Sequence, residues 1–225
     1  MSNSREEILH TIRRELKGVS SEETTVERNF LSEAEEIQKL TKEPRSNLKT
    51  QFIEELTNVN TNVAELENEK NINKTLLNLI KEKELKSFSI WESEYLKEIN
   101  LKEDLKEAGL KLITAKDKNK IANSDIGITE VDYAIADTGT LVLLTNKNQP
   151  RSVSLLPPIH LAIVRQVNLV RNIKDLFIIL KSKLKDSEDI TSCMTFITGP
   201  SRTADIELNL TLGVHGPKEL IVVIV

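Results

Sequence analysis

The chain has 225 residues, 39% of them hydrophobic and 29% charged, with a formal net charge of -4. This describes one large domain, or an ordinary domain with an extension, and excludes the basic excess by which proteins meet nucleic acid. Its single cysteine, Cys193, excludes an internal disulfide and an iron–sulfur cluster ligated by this chain alone.

The first residues are charged and hold no continuous apolar run, so they do not read as a secretory signal. No stretch approaches the roughly 20 apolar residues that span a bilayer, and the expected setting is the cytoplasm. Ser4 and Glu7 resemble a capping box. Ile8, Leu9, Ile12 and Leu16 follow at helical spacing, predicting a first helix that ends near Gly18. Residues 25–40 and 47–56 repeat that periodicity on either side of Pro44. Residues 1–58 therefore read as a helical N-terminal extension and 59–225 as an α/β domain. Amphipathic arms of this kind also make a homodimer an expectation.

After residue 59 the pattern alternates. Residues 70–83 carry Ile72, Leu76, Leu77, Leu79 and Ile80 on a predicted helix, and 87–91 and 110–114 are predicted strands. Further strands are predicted at 139–145, 160–164, 194–198 and 220–225, with a helix over 173–185. Short, apolar, branched runs between helices imply a mostly parallel sheet buried on both faces. Cys193 leads into one of these runs and reads as a small apolar strand residue rather than a reactive thiol.

Three polar loops flank these strands, and in open α/β sheets ligands gather at the carboxyl ends of strands. The first runs from Gly127 to Thr140 and holds Glu130, Asp132 and Asp137, followed by Thr138 and Gly139. Glu130 and Asp132 fit helix caps better than they fit a general base, a nucleophile or a ribose ligand. Asp137 fits equally a structural carboxylate and a general base or polar ligand. The second is Thr198-Gly-Pro-Ser-Arg-Thr-Ala-Asp-Ile-Glu207. Ser201, Arg202 and Thr203 offer donors to an anion there, with Asp205 and Glu207 alongside. A strand-to-helix turn with a capping hydroxyl is the alternative. The third, Gly213-Val-His-Gly-Pro217, brackets His215 with glycines, either as a structural turn or to project an imidazole for acid–base work. His10 and His160 are weaker candidates, one in an amphipathic helix and the other opening a strand after Pro157-Pro158. G-x-G-x-x-G, H-E-x-x-H, G-x-S-x-G and C-x-x-C motifs are all absent, and three scattered histidines predict no metal site.

Taken together, Gly127-Ile-Thr, Ala136-Asp-Thr-Gly-Thr-Leu, Arg151 with Leu156-Pro, Gly199-Pro-Ser-Arg-Thr-Ala-Asp-Ile-Glu and Gly213-Val-His-Gly-Pro resemble, in this order and spacing, the LUD family of lactate-utilisation proteins, in its C type. The resemblance covers about residues 120–225. It implies a NagB/RpiA/CoA-transferase-like layered α/β fold. It also implies partnership with two iron–sulfur proteins, the three together oxidising L-lactate to pyruvate. The clusters would sit in the partners, with no cofactor in this chain. In that reading Arg202 pairs with the substrate carboxylate, Ser201 and Thr203 orient it, and His215 or Asp137 handles the hydroxyl proton. CoA transferases of the wider fold carry a nucleophilic glutamate in a Ser-Glu-Asn-Gly turn, to which Ala136-Asp-Thr-Gly139 is similar. The acid here is one methylene shorter, so Asp137 is carried over as a polar ligand. The alternatives are a free-standing CoA-transferase-like or phosphosugar-isomerase-like enzyme, and a purely structural assembly subunit.

Overall fold

The structure is a computed structural model that describes residues 10, 45–66, 69–114, 118–184, 191, 193–204 and 210–225. The chain divides into two compact units, Met1–Ser32 and Glu33–Val225, and the elements below belong to the second. His10 apart, the helices expected before Pro44 lie outside the described residues.

Helix α1 (Arg45–Asn58) forms where the sequence predicts one, because Leu48, Phe52 and Leu56 recur every fourth residue and bury one stripe. After β1 (Asn62–Glu65), helix α2 (Ile72–Glu82) repeats the pattern with Ile72, Leu76 and Ile80 buried. Then follow β2 (Ser87–Ile90), α3 (Glu94–Glu98), α4 (Leu101–Glu107), β3 (Lys111–Leu112), α5 (Lys118–Ile121), β4 (Ile126–Glu130), β5 (Tyr133–Ile135) and β6 (Thr140–Thr145). The last elements are α6 (Ser152–Leu155), β7 (Ile159–Val164), β8 (Leu169–Val170), α7 (Ile173–Leu184), β9 (Cys193–Ile197), β10 (Arg202–Ala204), β11 (Leu210–Leu212) and β12 (Glu219–Ile224).

Six strands form a sheet in the order β1-β12-β7-β4-β2-β3, and every pairing in it is parallel. The expectation of a mostly parallel α/β sheet is met. Strands β7 and β12 are buried at every position after the first, so both faces are covered and, His160 apart, these buried positions are apolar rather than alternating.

A second sheet, β8-β5-β6-β9, joins antiparallel β5, β6 and β9 to a parallel β8. Its side chains divide by the two-residue period of a strand. Ala134, Leu141 and Leu143 face the main core with Phe52 and Val222. Tyr133, Ile135 and Val142 face a smaller core closed by Leu176 and Leu180 of α7. This sheet is thus a middle layer between the main core and α7. No helix among the described residues is long and apolar enough to cross a membrane.

Two glycines set the spacing of these layers. A Cβ on Gly127 would sit 1.9 Å from the Val153 carbonyl oxygen, so glycine in β4 lets α6 lie directly on the sheet. Gly139 closes the β5–β6 turn at φ 59°, and a Cβ there would come within 2.8 Å of the Leu56 nitrogen. The turn and the end of α1 are consequently in direct contact.

Candidate functional site

Two of the three polar loops come together around one cleft of about 210 Å³, lined by Ser201 and His215 with Thr198, Ser154 and His160. The loops are stitched by backbone. Ser201 N–H donates to the Pro217 carbonyl at 2.9 Å, and Gly213 N–H donates to the Ser201 carbonyl at 3.0 Å. His160 and Leu220, which both line the cleft, are register partners at the second positions of β7 and β12. The cleft therefore opens at the amino edge of the parallel sheet, not at the carboxyl edge that the general rule for α/β sheets leads one to expect.

His160 is the residue that local sequence reading undervalues. It is wholly buried, its Nε2 lies 2.9 Å from the Thr129 hydroxyl, and its Nδ1 has no hydrogen-bond partner. Burial pushes its pKa down to about 3, so the imidazole is neutral at physiological pH. The legible signal was one imidazole inside an otherwise apolar run, Ile159-His-Leu-Ala-Ile-Val164.

The first loop is joined to the cleft through hydroxyls. Thr138 Oγ1 lies 2.7 Å from Thr140 Oγ1, which lies 2.8 Å from Thr198 Oγ1 in the cleft wall. Asp137 is exposed in a 3₁₀ turn, where its N–H donates to the Arg171 carbonyl at 3.0 Å, and it does not line the cleft. Nor does Gly139, which is buried against α1. The stretch from Gly127 to Thr140 is also less of a loop than its composition implies, since β4 and β5 run through it. Glu130 and Asp132 are accordingly carried to the carboxyl edge. Glu130 pairs with Arg165 at 2.8 Å, and Asp132 accepts the Leu144 N–H at 2.7 Å. Neither caps a helix.

Arg202 is exposed, and its guanidinium donates to the Val59 carbonyl just after α1. It does not line the cleft. Thr203 sits in β10 opposite Thr211 of β11, so the second loop opens into a hairpin and not into the helix the sequence alternative foresaw. Asp205 and Glu207 lie outside the described residues. Cys193 is half-buried in β9, with its Sγ 3.8 Å from the Met194 carbonyl. Among the described residues, no three His, Cys, Asp or Glu side chains stand close enough to hold a metal ion.

Among the described residues, the lining carries no Asp, Glu, Lys or Arg. Hydroxyls and two imidazoles meet in a pocket whose floor is neutral, so a small polar molecule, including an anion, meets no carboxylate among the described lining residues. The family model described as the LUD domain matches residues 49–225. The chain belongs to the LUD-domain family. The match begins inside α1, so Phe52 and Leu56 of that helix fall within it.

This LUD-domain chain is 34% identical over 174 residues to "Lactate utilization protein C 1" of Bacillus mycoides (strain KBAB4), covering 74% of each. It is 47% identical over 98 residues to "Lactate utilization protein C" of Halalkalibacterium halodurans, a match that spans 43% of that relative's length and 44% of this chain. In Bacillus licheniformis a protein of the same name is 40% identical over 113 residues, 47% of its length. Among solved structures, a duf162 family protein from Deinococcus radiodurans superimposes with a TM-score of 0.56, covering 81% of this chain and 98% of that one. At 17% identity that likeness speaks for the fold alone.

Proposed function

We propose that this LUD-domain protein is a subunit of a lactate-oxidising system in which two iron–sulfur partners carry the electrons, and that its cleft holds the 2-hydroxy acid. The observation that carries the reading is the convergence of the Ser201 and His215 loops over His160 in a chain whose relatives are named for lactate utilization. A substrate carboxylate would take hydrogen bonds from the Thr198 and Ser201 hydroxyls, and His215 would exchange the proton of the substrate hydroxyl. Arg202, tied to Val59, serves in this account to hold the second loop against the end of α1.

With one cysteine, this chain supplies fewer thiolates than a cubane cluster needs, so the electrons leave through partners. Exposed Leu156, Phe196 and Val214 stand beside or among the lining residues and give such a partner an apolar surface at the cleft mouth. That apolar rim also favours the assembly-subunit reading, in which the loops serve contact alone. The CoA-transferase-like reading draws no support from the described part of the cleft, because no carboxylate among the described residues lines it to act as nucleophile.

A titration of the imidazole-labelled chain with L-lactate separates these readings. The lactate reading predicts saturable shifts of the His215 and His160 resonances, weakened about tenfold or more by Ser201→Ala. Imidazole resonances that stay fixed up to about 20 mM L-lactate, well above a millimolar dissociation constant, would remove lactate from this cleft and leave assembly.

A further inference from the structure

At the carboxyl edge of the parallel sheet, beyond the ends of β4 and β7, a second cleft of about 490 Å³ is lined by Glu94, Glu98, Glu130, Asp132, Tyr95 and Tyr133. The one basic residue among its described lining residues, Arg165, is already paired with Glu130 at 2.8 Å and lies with its guanidinium carbon 4.9 Å from the centre of the Tyr95 ring. The lining thus keeps an excess of negative charge, which repels carboxylates, phosphates and acyl-CoA esters and attracts cations.

Tyr95 adds an observation independent of the acids. The residue is 6% exposed, lines the cleft, and its hydroxyl is buried without a hydrogen-bond partner. A phenol oxygen accepts as well as donates, so this atom can receive an N–H. Burial first, and then the charge of Glu69, push its pKa up to about 12, so it stays a neutral phenol. The resting contact of Arg165 also demonstrates what the walls do with a cation: one face of Tyr95 takes a guanidinium while a carboxylate takes its N–H. An inorganic ion is a poorer fit, because among the described residues no three acids, histidines or cysteines are placed to coordinate one.

We propose that this cleft binds a small organic cation, an ammonium or guanidinium compound, between the Glu94 and Glu98 carboxylates of α3 and the rings of Tyr95 and Tyr133. The site is separate from the Ser201–His215 cleft, and the proposal does not depend on the lactate reading. α3 supplies three of its members from one turn, capped by Ser93, whose hydroxyl accepts the Leu96 N–H at 3.3 Å.

The test uses the full chain and agmatine, which carries both an ammonium and a guanidinium. Titration followed by backbone amide shifts is expected to saturate with a dissociation constant of about 1 mM or tighter. The shifts should map to α3 and the ends of β4 and β7. The Glu94→Gln/Glu98→Gln double variant, which changes only exposed side chains, should weaken binding about tenfold or more, while His215→Ala in the other cleft leaves it unchanged. L-Lactate and ribose 5-phosphate should not shift these resonances. Failure of agmatine to saturate by about 10 mM, or equal affinity in wild type and double variant, would overturn the proposal.

Discussion

Replacing Phe52 by alanine is expected to cost about 3–5 kcal/mol of stability, read as a fall in the urea midpoint at nearly unchanged slope. Phe52 is fully buried at the centre of the α1 stripe, between Leu48 and Leu56, and belongs to the same core as the main sheet. The change loses the transfer energy of a ring and leaves a cavity that a close-packed core refills only in part. The effect extends to the candidate site, because α1 is what the site loops lean on. The Arg202 guanidinium is bonded to Val59, and Gly139 lies against Glu55 and Leu56. Amide exchange in residues 198–202 should therefore accelerate in Phe52→Ala even under conditions where the chain remains folded. A loss below about 1 kcal/mol would mean that α1 is not integral to the domain.

The second large effect is on the acid side. His160 has a folded pKa of about 3 against 6.5 for an unperturbed imidazole, because burial without a compensating charge disfavours the cation. Between those values the unfolded chain binds a proton that the folded chain refuses. The stability that His160 contributes is complete above about pH 6.5, falls by up to about 1.4 kcal/mol per pH unit as pH drops, and stops falling below about pH 3. Carboxylates also weaken the fold in acid, so the comparison is with His160→Gln, which cannot titrate. Relative to that variant, the wild-type chain should lose about 2 kcal/mol between about pH 6.5 and pH 4.5. Parallel stability curves for the two proteins would show that the imidazole is reached by solvent and protonates freely.

Both effects rest on features that sequence discloses unequally. The strands at Ile159–Val164 and Glu219–Ile224 were legible because parallel strands covered on both faces are almost wholly apolar, and the antiparallel strand Thr140–Thr145 because its Leu141-Val-Leu-Leu144 run is packed between two cores. Helices α2 and α7 were legible because their apolar residues return every third or fourth position. Strand β4 was hidden by the same logic turned round. Gly127, Thr129 and Glu130 look like loop chemistry, yet the glycine makes room for α6, the threonine is bonded to His160 and the glutamate to Arg165. Each polar residue there is answered by a partner distant in sequence, and no local pattern reports that.

The same holds for the site. Ser201 and His215 were marked by glycine- and proline-rich loops, and they do meet in one cleft. His160 was passed over because its place at the floor depends on the register of β7 with β4 and β12, which sets it beside Gly127 and Leu220. Arg202 drew notice as the one cation in a loop of donors, but a nearer acceptor, the Val59 carbonyl, takes its guanidinium. Asp137 shared a short segment with Thr138 and Gly139, yet the Thr138–Thr140–Thr198 hydroxyl chain, not the carboxylate, runs to the cleft.

The most direct measurement is lactate-dependent reduction of an electron acceptor by whatever is recovered on the tagged chain from lactate-grown cells of its source, with iron determined on the same eluate. The account predicts iron-bearing partners that turn over with L-lactate. It also predicts a His215→Ala chain that recovers the same iron but is slowed by about 100-fold or more, the contribution expected of a positioned acid–base group. Recovery of the chain alone and iron-free, or equal turnover by the His215→Ala complex, would contradict it.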